Sequence, residues 1–190
     1  MLIGIVGTGC SSIPKTTRLA ERISQPPPGK ALVNFHRPSN YGAGRLIAIF
    51  DGNGKMLIDL PVTSLFQHVC DPGERVFMVW DDRVSVVKAE LAPDKVYDIR
   101  VDISDIKVDL FMGWVRANIV LTPLRKNDSG RAELAGLEKQ EKRTLSLNSS
   151  SPRVAEHEAK SQMTVADINK DFLTSQQADC VKYLQKDDCR

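Results

Sequence analysis

Lys95-Val-Tyr-Asp-Ile-Arg-Val-Asp-Ile103 alternates strictly between apolar and polar residues. Successive side chains of a strand point to opposite faces, so Tyr97, Ile99, Val101 and Ile103 share one face and Asp98, Arg100 and Asp102 the other. This is the pattern of a half-buried β-strand. Val115, Ala117, Ile119 and Leu121 alternate with Arg116, Asn118 and Thr122 in the same way. Between Arg83 and Leu91 the apolar positions are Val84 and Val86, then Ala89 and Leu91, which predicts a phase slip, and hence a bulge, at Val87–Lys88. Arg45–Phe50 is apolar almost throughout and suits a strand covered on both faces. Ala31–Phe35, Lys55–Leu60, Leu65–Cys70 and Val76–Trp80 complete eight predicted strands.

Turn chemistry separates them. Asp51-Gly52-Asn53-Gly54 carries the residues that accept the positive φ of a tight hairpin. Asp71-Pro72-Gly73-Glu74, Asp81-Asp82 and Ala92-Pro93-Asp94 are three further turns. Many short strands at close spacing predict a mainly β chain folded as an antiparallel β-sandwich over residues 30–124. Residues 125–190 read as a helical, partly disordered tail: Arg131–Lys142 favours helix, Ser146–Pro152 is a Ser-rich break, and Thr174-x-x-Gln177 opens a last helix with Cys180, Val181 and Leu184 on one face.

Composition narrows the function classes. The 190 residues hold 26 Lys+Arg and 24 Asp+Glu, a net charge of +2. Neutralising nucleic-acid phosphates calls for clustered cations, so no nucleic-acid partner is expected. No apolar run is long enough for a transmembrane helix.

Met1–Gly9 has two competing readings. A strand entering Gly7-x-Gly9 would open a dinucleotide-binding turn and a nucleotide-dependent enzyme. That motif needs a helix next and an acid about 20 residues on, yet Pro14 and the run Gln25-Pro26-Pro27-Pro28-Gly29 follow. An apolar N-terminal strand with an ordinary buried cysteine is the bland variant. The other reading is a secretion signal, an apolar stretch closed by small residues. Gly7-Thr8-Gly9-Cys10 resembles the lipobox of bacterial lipoproteins, in which the cysteine becomes the acylated first residue after cleavage. Gly7 stands where that motif usually has Leu, and a start codon assigned too far downstream would account for the short apolar part and its missing positive charge. Residues 1–9 are then a signal-peptide remnant, and 10–29 a lipidated cysteine with a Pro-rich tether that includes a short amphipathic stretch, Leu19 and Ile23 lying four apart.

The strand block carries a second resemblance. Lys30-Ala-Leu-Val33 leading to Arg37-Pro38, the Asp51-Gly52 hairpin, Asp71-Pro72-Gly73-Glu74 and Met112-Gly113-Trp114 occur in the order seen in a family of small bacterial lipoprotein domains of unknown function. The block is also similar to carboxypeptidase-regulatory-like and P-E-G-A-motif sandwiches. The resemblance covers residues 30–124 and implies a β-sandwich on a lipid anchor, with no catalytic residues to carry over. Ser11 after Cys10, with no Asp there, is like the family members sorted to the outer membrane, which places the expected site at its periplasmic face.

Candidate chemistry is sparse. His68 and Cys70 share a strand face, short of the three or four ligands of a metal site, so no metal and no cofactor is expected. His36 and His157 stand apart from any metal-ligand spacing. Gly52-x-Gly54-Lys55 lacks the spacing of a phosphate loop and reads as a turn. Asp98, Asp102, Asp105 and Asp109 are expected on a solvated face. Trp80 and Trp114 are either core residues or a stacking platform for a carbohydrate. With Cys10 acylated, Cys70, Cys180 and Cys189 would face an oxidising compartment. Cys180–Cys189 would close a short C-terminal loop, and the odd count leaves other pairings open. The expected function is a non-enzymatic, membrane-anchored envelope lipoprotein acting in binding or assembly. Its expected partners are an envelope protein or a cell-wall glycan, the glycan bound through the tryptophans in the alternative reading.

Overall fold

A computed structural model describes residues 14–40, 42, 45–80, 84–109, 114–125, 128–140, 143–159 and 181–185. The chain is mainly β, two sheets packed face to face with helical segments near the C-terminus. In chain order the elements are β1 (Thr17–Leu19), β2 (Ala31–Arg37), β3 (Ile47–Asp51), β4 (Met56–Leu60), β5 (Ser64–Cys70), β6 (Gly73–Trp80), β7 (Val84–Leu91), β8 (Val96–Asp109), β9 (Trp114–Pro123), α1 (Asp128–Gln140), β10 (Arg143–Leu147), a helix α2 over residues 152–159, and β11 (Val181–Leu184). Sheet A has the order β1-β10-β5-β2-β8-β9 and sheet B the order β11-β7-β6-β3-β4.

All eight predicted strands are present, as β2 to β9. The alternation of residues 95–103 has the predicted phase: Tyr97, Ile99 and Val101 are fully buried in the main core cluster and Ile103 packs against it. From β2 that cluster takes Ala31, Val33 and Phe35, and Phe35 meets Phe66 and Phe77 at centroid separations of 5.8 and 5.2 Å. Burying each such side chain contributes about 1.5–3 kcal/mol. β3 is covered on both sides as expected, Ile47 and Ile49 entering the main core while Phe50 joins Met56 and Val154 of α2 in a second cluster.

Four expectations are corrected. The sandwich is of mixed direction: β10–β5, β2–β8 and β11–β7 pair in parallel, the other pairings being antiparallel. Such pairs need no βαβ crossover, because the intervening strands lie partly in the opposite sheet. Asp71–Glu74 and Ala92–Asp94 turn the chain as predicted, but each carries it from one sheet to the other, whereas the Asp51–Gly54 turn closes a true hairpin. Alternation tells which face a residue takes, not which strand lies beside it. β6 and β7 pair in unbroken register from Gly73↔Leu91 to Trp80↔Val84, so no bulge occurs at Val87–Lys88. The core phase is Ser85, Val87, Ala89 and Leu91, Ser85 serving the Leu121 amide with its hydroxyl. The register shifts fall at Ile49/Phe50 and at Ser104/Lys107. Finally, Val181–Leu184 is a strand, where a helix was expected: parallel pairing with Val86–Ala89 and full burial of Leu184 outweigh weak helical periodicity. Cys180 lies outside the described residues.

Strands also come from beyond residues 30–124. β10 sits between β1 and β5, and β11 extends sheet B. The segment 14–30 is bound along the sandwich, through β1, through the Arg22–Glu138 ion pair at 2.9 Å, and through Gly29 N–H to Asp94 Oδ1 at 2.6 Å. Between β2 and β3, the fully buried Arg37 donates to the main-chain carbonyls of Arg45 (2.7 Å), Leu60 and Gly42. Gly42 has φ +68°, and a Cβ there would stand 2.5 Å from Ile103 Cδ1, so glycine serves both the turn and the close approach.

Candidate functional site

The outer face of sheet A carries the main polar constellation. Asn34 and His36 of β2 and Asp98 of β8 are out of phase with the core residues, and register sets Asn34 beside Asp98. All three are buried, so Asp98 departs from the solvated face expected for it. His36 Nε2 and Asn34 Nδ2 both donate to Asp98 Oδ1 at 2.8 Å. Gln67 of β5 donates from Nε2 to Asn34 Oδ1 at 2.9 Å, and it exchanges two further bonds with the main chain of Ile23. Next along β8, Arg100 bridges Asp102 and Glu133 of α1. The network of Asn34, His36, Asp98 and Gln67 thus joins three strands and the 14–30 segment, and Arg100 separately ties β8 to the helix.

Chemically this is a clamp. A carboxylate beside an imidazole orients the ring, as in acid–base sites, but the His36 side chain is fully buried and its Nε2 is committed to Asp98. Pairing each polar group offsets its desolvation. The sequence signal for it was the polar phase Asn34-x-His36 opposite Asp98-x-Arg100, legible only once β2 and β8 are known to be neighbours.

His68 and Cys70 do share the inner phase of β5. His68 lies 6.1 Å from the rings of both Phe66 and Phe77, and burial holds its pKa below the usual histidine value. Cys70 is a half-buried free thiol, pushed up by burial and partly countered by Arg75. Lys30 pairs with Asp71 at 2.6 Å and lowers that carboxyl. Among the described residues no group of three or more His, Cys, Asp and Glu could hold a metal ion.

Two open grooves border these features. One, about 460 Å³, runs between Arg22–Gln25, Asp94, Val96 and Glu138. The other, about 440 Å³, lies where Glu74, Lys88, Glu90 and Leu184 meet. Both mix charges of either sign with apolar walls.

The remaining candidates are placed by their backbones or not at all. Trp80 ends β6 opposite Val84, and Trp114 begins β9 opposite Asp109. Both positions stand at the end of the sandwich away from Thr17, one in each sheet; their side chains lie outside the described residues. Gly7, Gly9, Cys10 and Cys189 also lie outside them. No protein-family model matches this chain, and a search of curated proteins finds no relative.

Proposed function

We propose that the chain is an envelope lipoprotein, anchored through an acylated Cys10 at the periplasmic face of the outer membrane, whose sandwich serves in binding or assembly and not in catalysis. The observation that supports it most is the course of the chain after the lipobox-like Gly7-Thr8-Gly9-Cys10. Thr17 enters the edge strand β1 seven residues after Cys10, and residues 14–30 stay bound to the sandwich. At ~3.3–3.6 Å per extended residue, an acylated Cys10 would keep β1 within ~25 Å of the bilayer. Several acyl chains supply stable anchoring at ~0.8 kcal/mol per buried CH₂, where one chain binds only marginally. The folded part then presents its grooves to a partner protein.

The test is the intact N-terminal mass of the protein recovered from its own cell membranes, expressed with its upstream region. Cleavage before Cys10 with acyl mass added is the expected result. An unmodified Met1 in the soluble fraction overturns the proposal.

A second reading, a carbohydrate-binding module, draws on one feature. Trp80 and Trp114 stand in the terminal pairs of β6–β7 and β8–β9, at the sandwich end opposite the entry of β1, so an anchored molecule would hold them away from the bilayer. Aromatic rings there would stack on cell-wall glycan. Titrating wall glycans against tryptophan fluorescence tests it, and an unchanged spectrum at saturating glycan removes it.

A further inference from the structure

Among the described residues the two sheets end in the edge strands β1, β9, β11 and β4, which are not alike. β1 has three residues, β11 four and β4 five. The Met56 N–H of β4 is also held by Glu158 Oε1 of α2 at 3.2 Å. β9 has ten residues, with no proline before Pro123 and Arg116 as its one charge. Short length, proline, charge and a covering element are the usual means of keeping a sheet edge from pairing. β9 lacks most of them.

The edge also projects. β2 leaves β8 after Arg100, and Gly42 of the β2–β3 connection lies against Ile103. Past that point, among the described residues, β8 and β9 pair only with each other, as far as Asp109↔Trp114. A two-stranded ribbon alone is marginally stable in water, so this one gains from a third strand. The observed bonds fix which groups are available. Leu124 N–H bonds the Asp98 carbonyl, so the even-numbered residues of β9 turn their main-chain groups to β8. Leu121 N–H, turned the other way, is met by the Ser85 hydroxyl at 3.0 Å. The irregularity at Ser104/Lys107 lies in β8, while β9 steps evenly from Asn118 to Arg116. Val115, Ala117 and Ile119 therefore share the phase of Leu121 and turn N–H and C=O outward. With Ser85 closing the edge at Leu121, the open stretch is Trp114–Val120, whose middle residue is Ala117.

We propose that two copies of the chain join along this edge, β9 against β9 and antiparallel, about a twofold axis through Ala117. Val115 then exchanges hydrogen bonds with Ile119 of the second copy, and Ala117 with its own counterpart, so that sheet A continues across both molecules. The contact is isologous and closes as a dimer. Arg116 comes to stand opposite Asn118. An axis at Arg116 would set like charges directly opposite each other. An axis at Asn118 would bring in Leu121, whose N–H Ser85 already holds. One strand a side falls short of the ~20–30 residues of a standard interface, so the dimer forms with rising concentration. It does not depend on acylation of Cys10.

The test is analytical sedimentation of the full chain carrying Cys10→Ser, kept reduced, so that neither an acyl anchor nor a disulfide joins the copies. The expected result is a monomer–dimer equilibrium across a concentration series. Ala117→Pro removes the outward N–H and spares the β8 ladder, a position where an edge strand tolerates proline. It should weaken the dimer about tenfold or more, with an unchanged circular dichroism spectrum certifying the fold. If that variant does not fold, Ala117→Cys decides. Across the axis its two copies stand ~5.5 Å apart, within reach of a disulfide. Diamide should then link the tryptic peptide 117–125 to itself in Ala117→Cys and not in Val120→Cys, whose counterpart is Trp114. A chain that stays monomeric at every concentration overturns the proposal, as does a dimer that Ala117→Pro leaves intact or one without the self-linked peptide. Slow amide exchange at Val115, Ala117 and Ile119 in the dilute monomer also overturns it and assigns the edge to residues of the same chain.

Discussion

Ile23 and Gln67 exchange two hydrogen bonds of 2.8 Å, main-chain N–H to Oε1 and Nε2 to the main-chain carbonyl. A glutamine side chain here stands in for a neighbouring strand: it satisfies both backbone groups of a residue that no ladder reaches. The same amide carries on to Asn34 at 2.9 Å, so the segment after β1 is coupled to the buried clamp beneath it.

Gln67→Ala removes these bonds and leaves the Asn34 carbonyl oxygen with one donor fewer. The expected loss is about 1–3 kcal/mol of stability, since each hydrogen bond contributes ~1 kcal/mol net and a stranded buried group costs ~1–3 kcal/mol. Amide exchange at Ile23 should quicken by more than the global destabilisation explains. Equal acceleration at all amides would mean that the segment is held by something else.

Asp98→Ala strands two buried donors, His36 Nε2 and Asn34 Nδ2. Breaking a buried pair on one side costs about 3–5 kcal/mol. Replacing Asn34, His36 and Asp98 together by Leu should cost less than that single change, because the buried donors go with their acceptor and the Gln67 amide, which loses Asn34 Oδ1, keeps its bonds to Ile23. Urea midpoints of the two variants decide it, and the reverse order would show that the clamp contributes more than it costs to desolvate.

Burial between Phe66 and Phe77 lowers the His68 pKa. The unfolded chain therefore binds the proton more readily than the folded one below about pH 6.5. Stability from this residue is complete above that pH and is lost as the pH falls through it toward the lower folded pKa. His68→Phe should flatten the fall in urea midpoint between roughly pH 7 and pH 5. An unchanged slope would place the acid sensitivity elsewhere.

Cys70 has the opposite sign. Burial raises its thiol pKa, so less thiolate is present at neutral pH and alkylation is slow. Peptide mapping after brief iodoacetamide treatment should show Cys70 labelled sparsely in the native chain and fully in urea. Rapid native labelling would mean that Arg75 outweighs burial at the sulfur.

Much of the architecture was legible because period two is a local property. Tyr97, Ile99 and Val101 needed no partner strand to declare their face, and Gly54 and Gly73 mark their turns by positive φ. What stayed hidden depends on neighbours. Asp98 looks like any solvated acid until β2 is laid beside it with Asn34 and His36. Arg37 follows an alternating run, yet its burial is set by the Gly42, Arg45 and Leu60 carbonyls, which the fold gathers from two separate segments. β1 and β11 are too short to show a period, and both are held by pairing with strands far away in sequence.

That remote pairing has a consequence for the newly made chain. β11 closes against β7 nearly a hundred residues after β7 is synthesised, and Leu184 completes the core from there. Contacts so far apart in sequence form late and slowly. Until Val181–Leu184 arrives, the backbone of Val86–Ala89 is an open edge, the usual template for pairing with another chain. A protein truncated just upstream would keep nearly all of its sandwich and still expose that edge. β11 replaces that edge with one of only four residues, and a short edge strand is one of the ways a sheet limits pairing with its neighbours.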